Sequence, residues 1–183
     1  MTDFDRAELD DMVQRWVQAN KDCEAAGDWR PLAEFYTEDA TYGWNYGPTQ
    51  EFMAVGRKEI REWALGTEME GLEGWVYTYR DFVIDDRSGN IIGLWEQISD
   101  AKRADGANYS PAGIGGSWFR YAGNFQWSWQ RDFFDFGNVS ALFMEMITNN
   151  ALSDGMQKRI KRSVSGDPLP GWYQIGAGPT PLW

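Results

Sequence analysis

Apolar and polar residues follow a helical spacing in the first part of the chain. Apolar residues recur every three or four positions and predict an amphipathic helix whose inner face is Leu9, Met12, Val13, Trp16 and Val17. Gly27 is placed to end this helix, and Asp28 is placed to cap a second one with Pro31 in its first turn. A strand is then predicted over 40–46, and a third short helix over 56–65.

The second part of the chain has mostly the two-residue period of strands. The segments 75–84 and 91–99 flank a polar turn, DDRSGN, and predict a hairpin. Two more strands are expected over 117–121 and 125–134, after a long loop. A helical stripe and a short basic helix near 154–164 follow; the stripe consists of Val139, Leu142, Phe143, Met146 and Ile147.

The length of 183 residues fits one domain, which we expect to span residues 1–165. The remaining segment, 166–183, is rich in Gly and Pro, yet it carries Trp172 and Trp183 with other apolar residues. A disordered tail is rarely so apolar. We expect an extended arm that packs on its own domain or on a neighbouring subunit, with one of the two tryptophans at a subunit contact or at the mouth of a pocket.

The net charge and the N-terminal segment limit the partners and the cellular location that we expect for this protein. A net charge of −11 disfavours nucleic acid and anionic membranes as partners. The acidic N-terminus does not resemble a signal peptide, and no apolar run is long enough to span a membrane. These features predict a cytoplasmic protein. Eleven Trp suggest either ordinary core packing or a cavity lined by aromatic rings.

The residue types exclude several kinds of catalysis. There is no His and only one Cys, so Ser-His-Asp and Cys-His catalysis and His-ligated metals are ruled out. The glycine-rich stretch GIGGSW, 113–118, lacks the lysine of a phosphate-binding loop. A carboxylate-only magnesium site stays open, but no dense acidic motif suggests one. We predict that the protein needs neither a cofactor nor a metal.

Four segments in this order of elements resemble the nuclear transport factor 2-like superfamily over roughly residues 8–150. They are FYTEDATY at 35–42, GRKEIREW at 56–63, WEQ at 95–97 and WQRDFFDF at 129–136. The superfamily includes SnoaL-like cyclases, ketosteroid isomerase, scytalone dehydratase and limonene epoxide hydrolase. The resemblance implies an α+β cone, in which a curved antiparallel sheet is closed by N-terminal helices, with C-terminal helices and an extended tail. It also implies a homo-oligomer, a dimer or a trimer.

The segment WQRDFFDF carries the most specific resemblance, because it is similar to the end of the last strand in limonene epoxide hydrolases. In that family the Asp after the Arg is catalytic and faces the pocket, and that residue here is Asp132. The family's Arg-x-Asp pair on the central strand is replaced by Glu96 and Ile98, and its Tyr-x-Asn pair by Trp44 and Tyr46. These replacements argue against epoxide hydrolysis.

The candidate site residues follow from this placement. Asp132 and Glu96 are expected to point into the cone, where one carboxyl could keep its proton while the other acts as a base. Tyr42 and Tyr46 are candidates to donate a hydrogen bond to a developing oxyanion. The full set comprises Asp132, Glu96, Tyr46 and Tyr42 as catalytic residues, and Trp44, Tyr109 and Gln130 as substrate-binding residues. The alternative for Asp132 is a structural bridge to Arg120 or Arg131.

The function that these residues suggest is a cofactor-independent lyase, dehydratase or isomerase acting on a hydrophobic, aromatic small molecule. A lignin-derived diaryl compound that loses formaldehyde is one option that the resemblance raises. Two alternatives remain, because a fold does not determine a function. A ligand-binding module would hold Asp132 paired with an arginine in an apolar cavity, and an assembly subunit would have no sizeable cavity.

Overall fold

The computed structural model describes residues 4–166 and 169–183 and has the predicted α+β architecture: one curved, unclosed sheet of seven strands with helices packed against it. The strands are β1 Tyr36–Tyr46, β2 Gln50–Val55, β3 Trp75–Asp85, β4 Asn90–Ser99, β5 Gly115–Tyr121, β6 Trp127–Phe133 and β7 Trp172–Gln174. The helices are α1 Arg6–Ala26, α2 Arg57–Glu59, which continues as a π-helical segment over Ile60–Thr67, α3 Phe136–Thr148 and α4 Asp154–Val164, with a 3-10 helix over Arg30–Phe35.

The strand order in the sheet is β3-β4-β5-β6-β1-β2-β7. Neighbouring strands are antiparallel, as predicted, except that β1 runs parallel to β6. In this pair Trp44 lies opposite Asp132, which places the first strand beside the end of the last long one. The parallel pair therefore brings the two segments that carry most of the candidate site residues together.

Helix α1 ends at Gly27, as the sequence predicts, and Leu9, Met12 and Trp16 of its predicted inner face are buried, while Val13 and Val17 are half-buried. The Asp5 side chain accepts a hydrogen bond from the Ala7 N–H at 2.9 Å, and Gly27 ends the helix in a left-handed conformation with φ 66°. Trp16 on the buried face packs edge-on against Phe119 of the sheet, with ring centroids 5.3 Å apart. Burial of such a ring stabilises the fold by about 2–3 kcal/mol.

The C-terminal helices cover a second, smaller core at the start of β3. Its buried members are Leu72, Trp75, Tyr109, Leu142, Met146 and Met156. Two of the stripe residues predicted for α3, Leu142 and Met146, are buried there. Helices α3 and α4 are therefore held against the domain by their own apolar contacts.

Two strands are missing from the sequence prediction. Four consecutive residues of β2, 51–54, are buried, so the strand lacks the polar-apolar alternation that would identify it. Strand β7 has only three residues, and it pairs with β2 through Phe52 and Trp172. The division into 1–165 and 166–183 stays a prediction, and Asp167 and Pro168 of the arm lie outside the described residues.

Candidate active site

A cavity of about 460 Å³ lies between the sheet and the helices. Its walls are mostly aromatic and aliphatic, with Trp16 and Trp29 on the N-terminal side, Trp44 and Trp95 on the sheet, and Phe143 on α3. This volume is in the range of small-molecule sites, and a wall of this composition suits an apolar ligand. Several of the tryptophans thus line a cavity as well as pack in the core.

Asp132 is the acidic group on the sheet side of this cavity. The hydroxyl of Tyr42 donates to its Oδ2 at 2.5 Å, and the Nε2 amide of Gln130 donates to its Oδ1 at 2.7 Å. Burial raises the pKa of Asp132 above its ordinary value, while hydrogen bonds from Gln130, Ser117 and Tyr42 oppose that rise. A carboxylate that is held by neutral donors in an apolar cavity is suited to accept a proton.

The arginine next to Asp132 in the sequence does not pair with it. The Arg131 side chain is buried with an exposed fraction of 1%, and its nitrogens donate to the backbone carbonyls of Thr41, Gln130, Pro181 and Leu182. Within residues 4–166 and 169–183, no ion pair to Asp132 is formed. The structural bridge that a binding module would require is therefore not present in the described part of the chain.

Gln130 lies in the cavity wall, where it links Asp132 to a second tyrosine. Its Oε1 accepts a hydrogen bond from the hydroxyl of Tyr36, and its Nε2 donates to Asp132. Because Asp132 accepts the hydrogen bonds from Tyr42 and Gln130, this arrangement fits the ionised form of the carboxyl. The geometry gives Gln130 a role in orienting Asp132.

The candidates on β1 all lie in the cavity wall. The ring of Tyr42 stacks on that of Tyr36 with centroids 6.1 Å apart, and burial raises the pKa of Tyr42 well above its ordinary value. Trp44 stacks on Phe52 at 4.0 Å. Tyr46 packs against Phe136 at 5.4 Å. Tyr42, Trp44 and Tyr46 thus share the face of β1 that lines the cavity, as the alternation in the sequence predicts.

Glu96 lies outside this cavity, contrary to the sequence expectation. Its side chain is 46% exposed and forms an ion pair with Arg80. The neighbouring residues of β4, Trp95 and Gln97, face the cavity, so alternation along the strand directs Glu96 to the other face. Glu96 and Asp132 therefore do not form the acid–base pair that we expected.

Tyr109 is also absent from the cavity wall. It is buried in the second core, where its hydroxyl accepts a hydrogen bond from Asn149 at 3.2 Å and its ring lies under the guanidinium of Arg103. The loop that carries it pairs with the end of β4 rather than with the cavity. The structure thus gives Tyr109 a packing role in place of the predicted contact with substrate.

A second carboxylate in the cavity wall escaped the sequence analysis. Glu68 is buried, accepts a hydrogen bond from the indole N–H of Trp172 at 2.8 Å and pairs with Arg159 at 3.4 Å. Its partners lie 91 and 104 residues away in the sequence, so no local pattern could have identified the contact. Because Arg159 neutralises it, Glu68 is a less suitable base than Asp132.

Two further cavity tyrosines, Tyr77 and Tyr79, lie on β3. They alternate in the segment WVYTYRDFVI, so a strand assignment alone could have placed both on one face. Across the described residues, no three His, Cys, Asp or Glu side chains converge to hold a metal ion. No helix of the described chain is long and apolar enough to cross a membrane.

Solved structures with this architecture are similar to the chain at low sequence identity. PrhC from Penicillium brasilianum is 15% identical, with a TM-score of 0.57 over 84% of this chain and 96% of that protein. A protein of unknown function from Burkholderia pseudomallei, described as nuclear transport factor 2-like, is 13% identical, with a TM-score of 0.52 over 70% of this chain and 95% of that one.

TerC, co-crystallised with polyporic acid, is 12% identical, with a TM-score of 0.51 over 70% of this chain and 95% of its own. No protein-family model matches the sequence, and no curated protein matches it significantly. The structural likeness shows that the chain has the nuclear transport factor 2-like fold.

Proposed function

We propose that this protein is a cofactor-independent lyase, dehydratase or isomerase in which Asp132 is the general base. The observation that carries the proposal is the carboxylate itself: it faces an apolar cavity, accepts hydrogen bonds from neutral groups and has no cationic partner among the described residues. General-base catalysis of this kind typically contributes a factor of about 10² to 10⁴ in rate.

The walls of the cavity favour a hydrophobic, aromatic substrate, because they offer flat rings and few polar groups. That TerC was co-crystallised with polyporic acid supports a small organic ligand in a protein of this fold. A lignin-derived diaryl compound that loses formaldehyde is one member of the proposed class. In that reaction of a diaryl propanediol, Asp132 would accept the proton of the CH₂OH hydroxyl, and the C–C bond would break as the C=O bond of formaldehyde forms. The released electron pair would form a C=C bond and expel the second hydroxyl, which would leave as water with the proton from Asp132.

The most direct experiment measures proton removal without knowledge of the product. Aromatic ketones and diaryl propanediols are incubated with the protein in D₂O, and exchange of carbon-bound hydrogen or release of formaldehyde is followed by NMR. We expect at least one compound to react with the wild type and not with Asp132→Asn. Reaction at an equal rate with the variant would refute the role of Asp132.

A non-catalytic binding module is the alternative, and the apolar cavity wall is the observation that favours it. It predicts tight binding of an aromatic ligand with no turnover by the wild type. An assembly subunit is less favoured, because the cavity of about 460 Å³ is larger than packing alone requires.

A further inference from the structure

Asn20 is a polar residue on the apolar inner face of helix α1. The other buried residues of this helix are Leu9, Met12, Trp16 and Cys23, and Asn20 is only 7% exposed among them. Asn is a poorer helix former than Leu, and a buried amide is costly unless both of its ends are hydrogen-bonded. Packing of α1 against the sheet therefore does not explain why an amide is present at this position.

One end of the Asn20 amide has a partner in the described chain, and the other end has none. The Nδ2 group donates to the backbone carbonyl of Trp16 at 2.8 Å. Since a carbonyl oxygen can only accept, this contact fixes the orientation of the amide and directs Oδ1 away from that carbonyl. Within residues 4–166 and 169–183, no group donates a hydrogen bond to Oδ1. This oxygen is therefore an unused acceptor.

The unused acceptor borders the cavity. Asn20 lies in the cavity wall, and its Oδ1 is not one of the unpartnered polar atoms that the protein encloses fully. Trp29, also in the wall, provides the contrast. Its Nε1 lacks a partner among the described residues too, but it is fully enclosed and out of reach of a ligand. On this side of the cavity, Asn20 thus offers an oxygen that a ligand can contact.

The polar groups one helical turn before and after Asn20 are engaged with strand β3. The indole N–H of Trp16 donates to the hydroxyl oxygen of Tyr79 at 2.9 Å. The carboxylate of Glu24 accepts the backbone N–H of Tyr77 at 2.6 Å. These two contacts hold α1 in place on either side of Asn20, and neither residue supplies a donor to its amide. A ligand can supply the missing donor.

We infer that Asn20 accepts a hydrogen bond from a ring hydroxyl of the substrate, so that the substrate is a phenol. This inference rests on the proposed function and narrows its substrate class. A phenol has the flat ring that suits the aromatic wall, and with a pKa of about 10, like that of tyrosine, its hydroxyl stays protonated and donates at neutral pH. A protonated amine fits less well, because the neutral amide does not offset the cost of burying its charge.

The position of Asn20 gives it a part in specificity and not in the chemical step. Asn20 lies on the helical side of the cavity, whereas Asp132 lies on the sheet side. A hydroxyl bound at Asn20 fixes how the ring lies against the sheet, and so determines which substituent faces Asp132. Orientation of this kind is what brings a substrate to its base in a reactive geometry.

Three probes of similar shape test the inference by binding alone. The phenol 2-naphthol carries a hydroxyl proton, 2-methoxynaphthalene carries the oxygen without the proton, and 2-methylnaphthalene carries neither. We expect equilibrium dialysis to show the wild type binding 2-naphthol about fivefold more tightly than the other two, the gain typical of one hydrogen bond. In Asn20→Leu the preference should disappear, because the variant keeps a side chain of similar volume and lacks the acceptor.

The control variant is Gln18→Leu, which replaces an amide on the exposed face of the same helix and should keep the preference. Thermal unfolding without ligand is the second measurement. Asn20→Leu should melt at the same temperature as the wild type or higher, since it removes a buried acceptor that the described chain leaves unsatisfied. A marked decrease in its melting temperature would identify a structural role for the amide and overturn the inference, as would equal affinity of the wild type for the three probes.

The carboxylate of Asp132 is another acceptor in the cavity, and Asp132→Asn separates the two. This variant should keep the preference for 2-naphthol. A preference that disappears in Asp132→Asn and stays in Asn20→Leu would place the hydroxyl at Asp132 and overturn the inference. Turnover tests the proposed function separately. Asp132-dependent proton removal without an Asn20-dependent preference contradicts this inference alone, and an active Asp132→Asn variant that keeps the preference contradicts the proposed function alone.

Discussion

The hydroxyl of Tyr42 donates a 2.5 Å hydrogen bond to Oδ2 of Asp132, across the parallel pair of strands β1 and β6. The two residues are 90 positions apart in the sequence, and the contact lies in the wall of the cavity. This hydrogen bond gives the Asp132 carboxylate a neutral partner among aromatic residues. Asp132 forms no ion pair with any residue of the described chain.

Asp132→Asn should abolish turnover and change the melting temperature by only a few degrees. The amide keeps the shape of the side chain but cannot accept a proton as a base, so we expect a loss of about 10² to 10⁴ in kcat/KM. Circular dichroism melting measured beside the activity assay checks both parts. Glu96→Gln is the matched control and should retain activity, since Glu96 is exposed and paired with Arg80. Large destabilisation with retained activity in the folded fraction would identify Asp132 as a structural residue.

The pH dependence should follow the ionisation of Asp132. Burial raises the pKa of Asp132. We therefore expect kcat/KM to decrease as the pH is lowered, with an apparent pKa above about 3.9, the ordinary value for Asp. The hydrogen bond from Gln130 lowers this pKa, so Gln130→Met should move the limb to higher pH. A limb that stays in place in the variant would show that another group titrates.

The same ionisation has a defined effect on stability. A carboxyl with a raised pKa in the folded state costs stability as the pH rises through its unfolded and then its folded value. Asp132→Asn removes this cost, so the variant should equal or exceed the wild type in unfolding free energy at pH 7. At pH 3 the carboxyl of the wild type is protonated and no longer carries this cost, so the unfolding free energy of the variant relative to the wild type should be lower than at pH 7. Urea unfolding at the two pH values measures it, and a variant that is weakened only at pH 7 would contradict the sign.

Removal of the arm after Gly166 should destabilise the protein or weaken ligand binding. The truncation deletes β7 and the buried Leu182, and it takes from Arg131 the carbonyls of Pro181 and Leu182. A buried guanidinium that loses acceptors costs on the order of 1–3 kcal/mol. It also removes Trp172, which bonds to Glu68 in the cavity wall. An unchanged mass in solution, melting temperature and turnover would show that the arm is dispensable.

Gly115→Ala should destabilise the fold, because the added Cβ would lie 2.2 Å from Cζ3 of Trp95. Overpacking of this kind costs about 1–3 kcal/mol and would push the Trp95 ring into the cavity. Gly137→Ala, where the nearest atom is a carboxylate oxygen of Asp135 at 3.3 Å, is the control and should be nearly neutral. Equal unfolding midpoints for the two variants would contradict the packing described at Gly115.

Exhaustive treatment with EDTA should leave the activity unchanged. The proposed chemistry uses Asp132 and neutral donors, and no three potential metal ligands converge among the described residues. The assay compares turnover before and after dialysis against the chelator. A loss of activity that one added divalent ion restores would contradict this expectation.

The sequence predicted the fold because its signals are local. The spacing around Trp16, the stop at Gly27 and the alternation in the strands depend only on residues a few positions apart. The resemblance at 129–136 placed Asp132 in the pocket, and the structure has it in the cavity wall.

Only the tertiary structure decided the rest of the site. Alternation shows which residues of a strand share a face, but it does not show which face points inward. The sequence analysis therefore predicted Glu96 in the cavity, whereas the structure has Trp95 and Gln97 there. Tyr109 belongs to a loop, where no period applies, and its packing in the second core depends on α3. The contacts of Glu68 with Arg159 and Trp172 join segments more than 90 residues apart. Such contacts form when distant elements fold together, and hydrophobic periodicity carries no information about them.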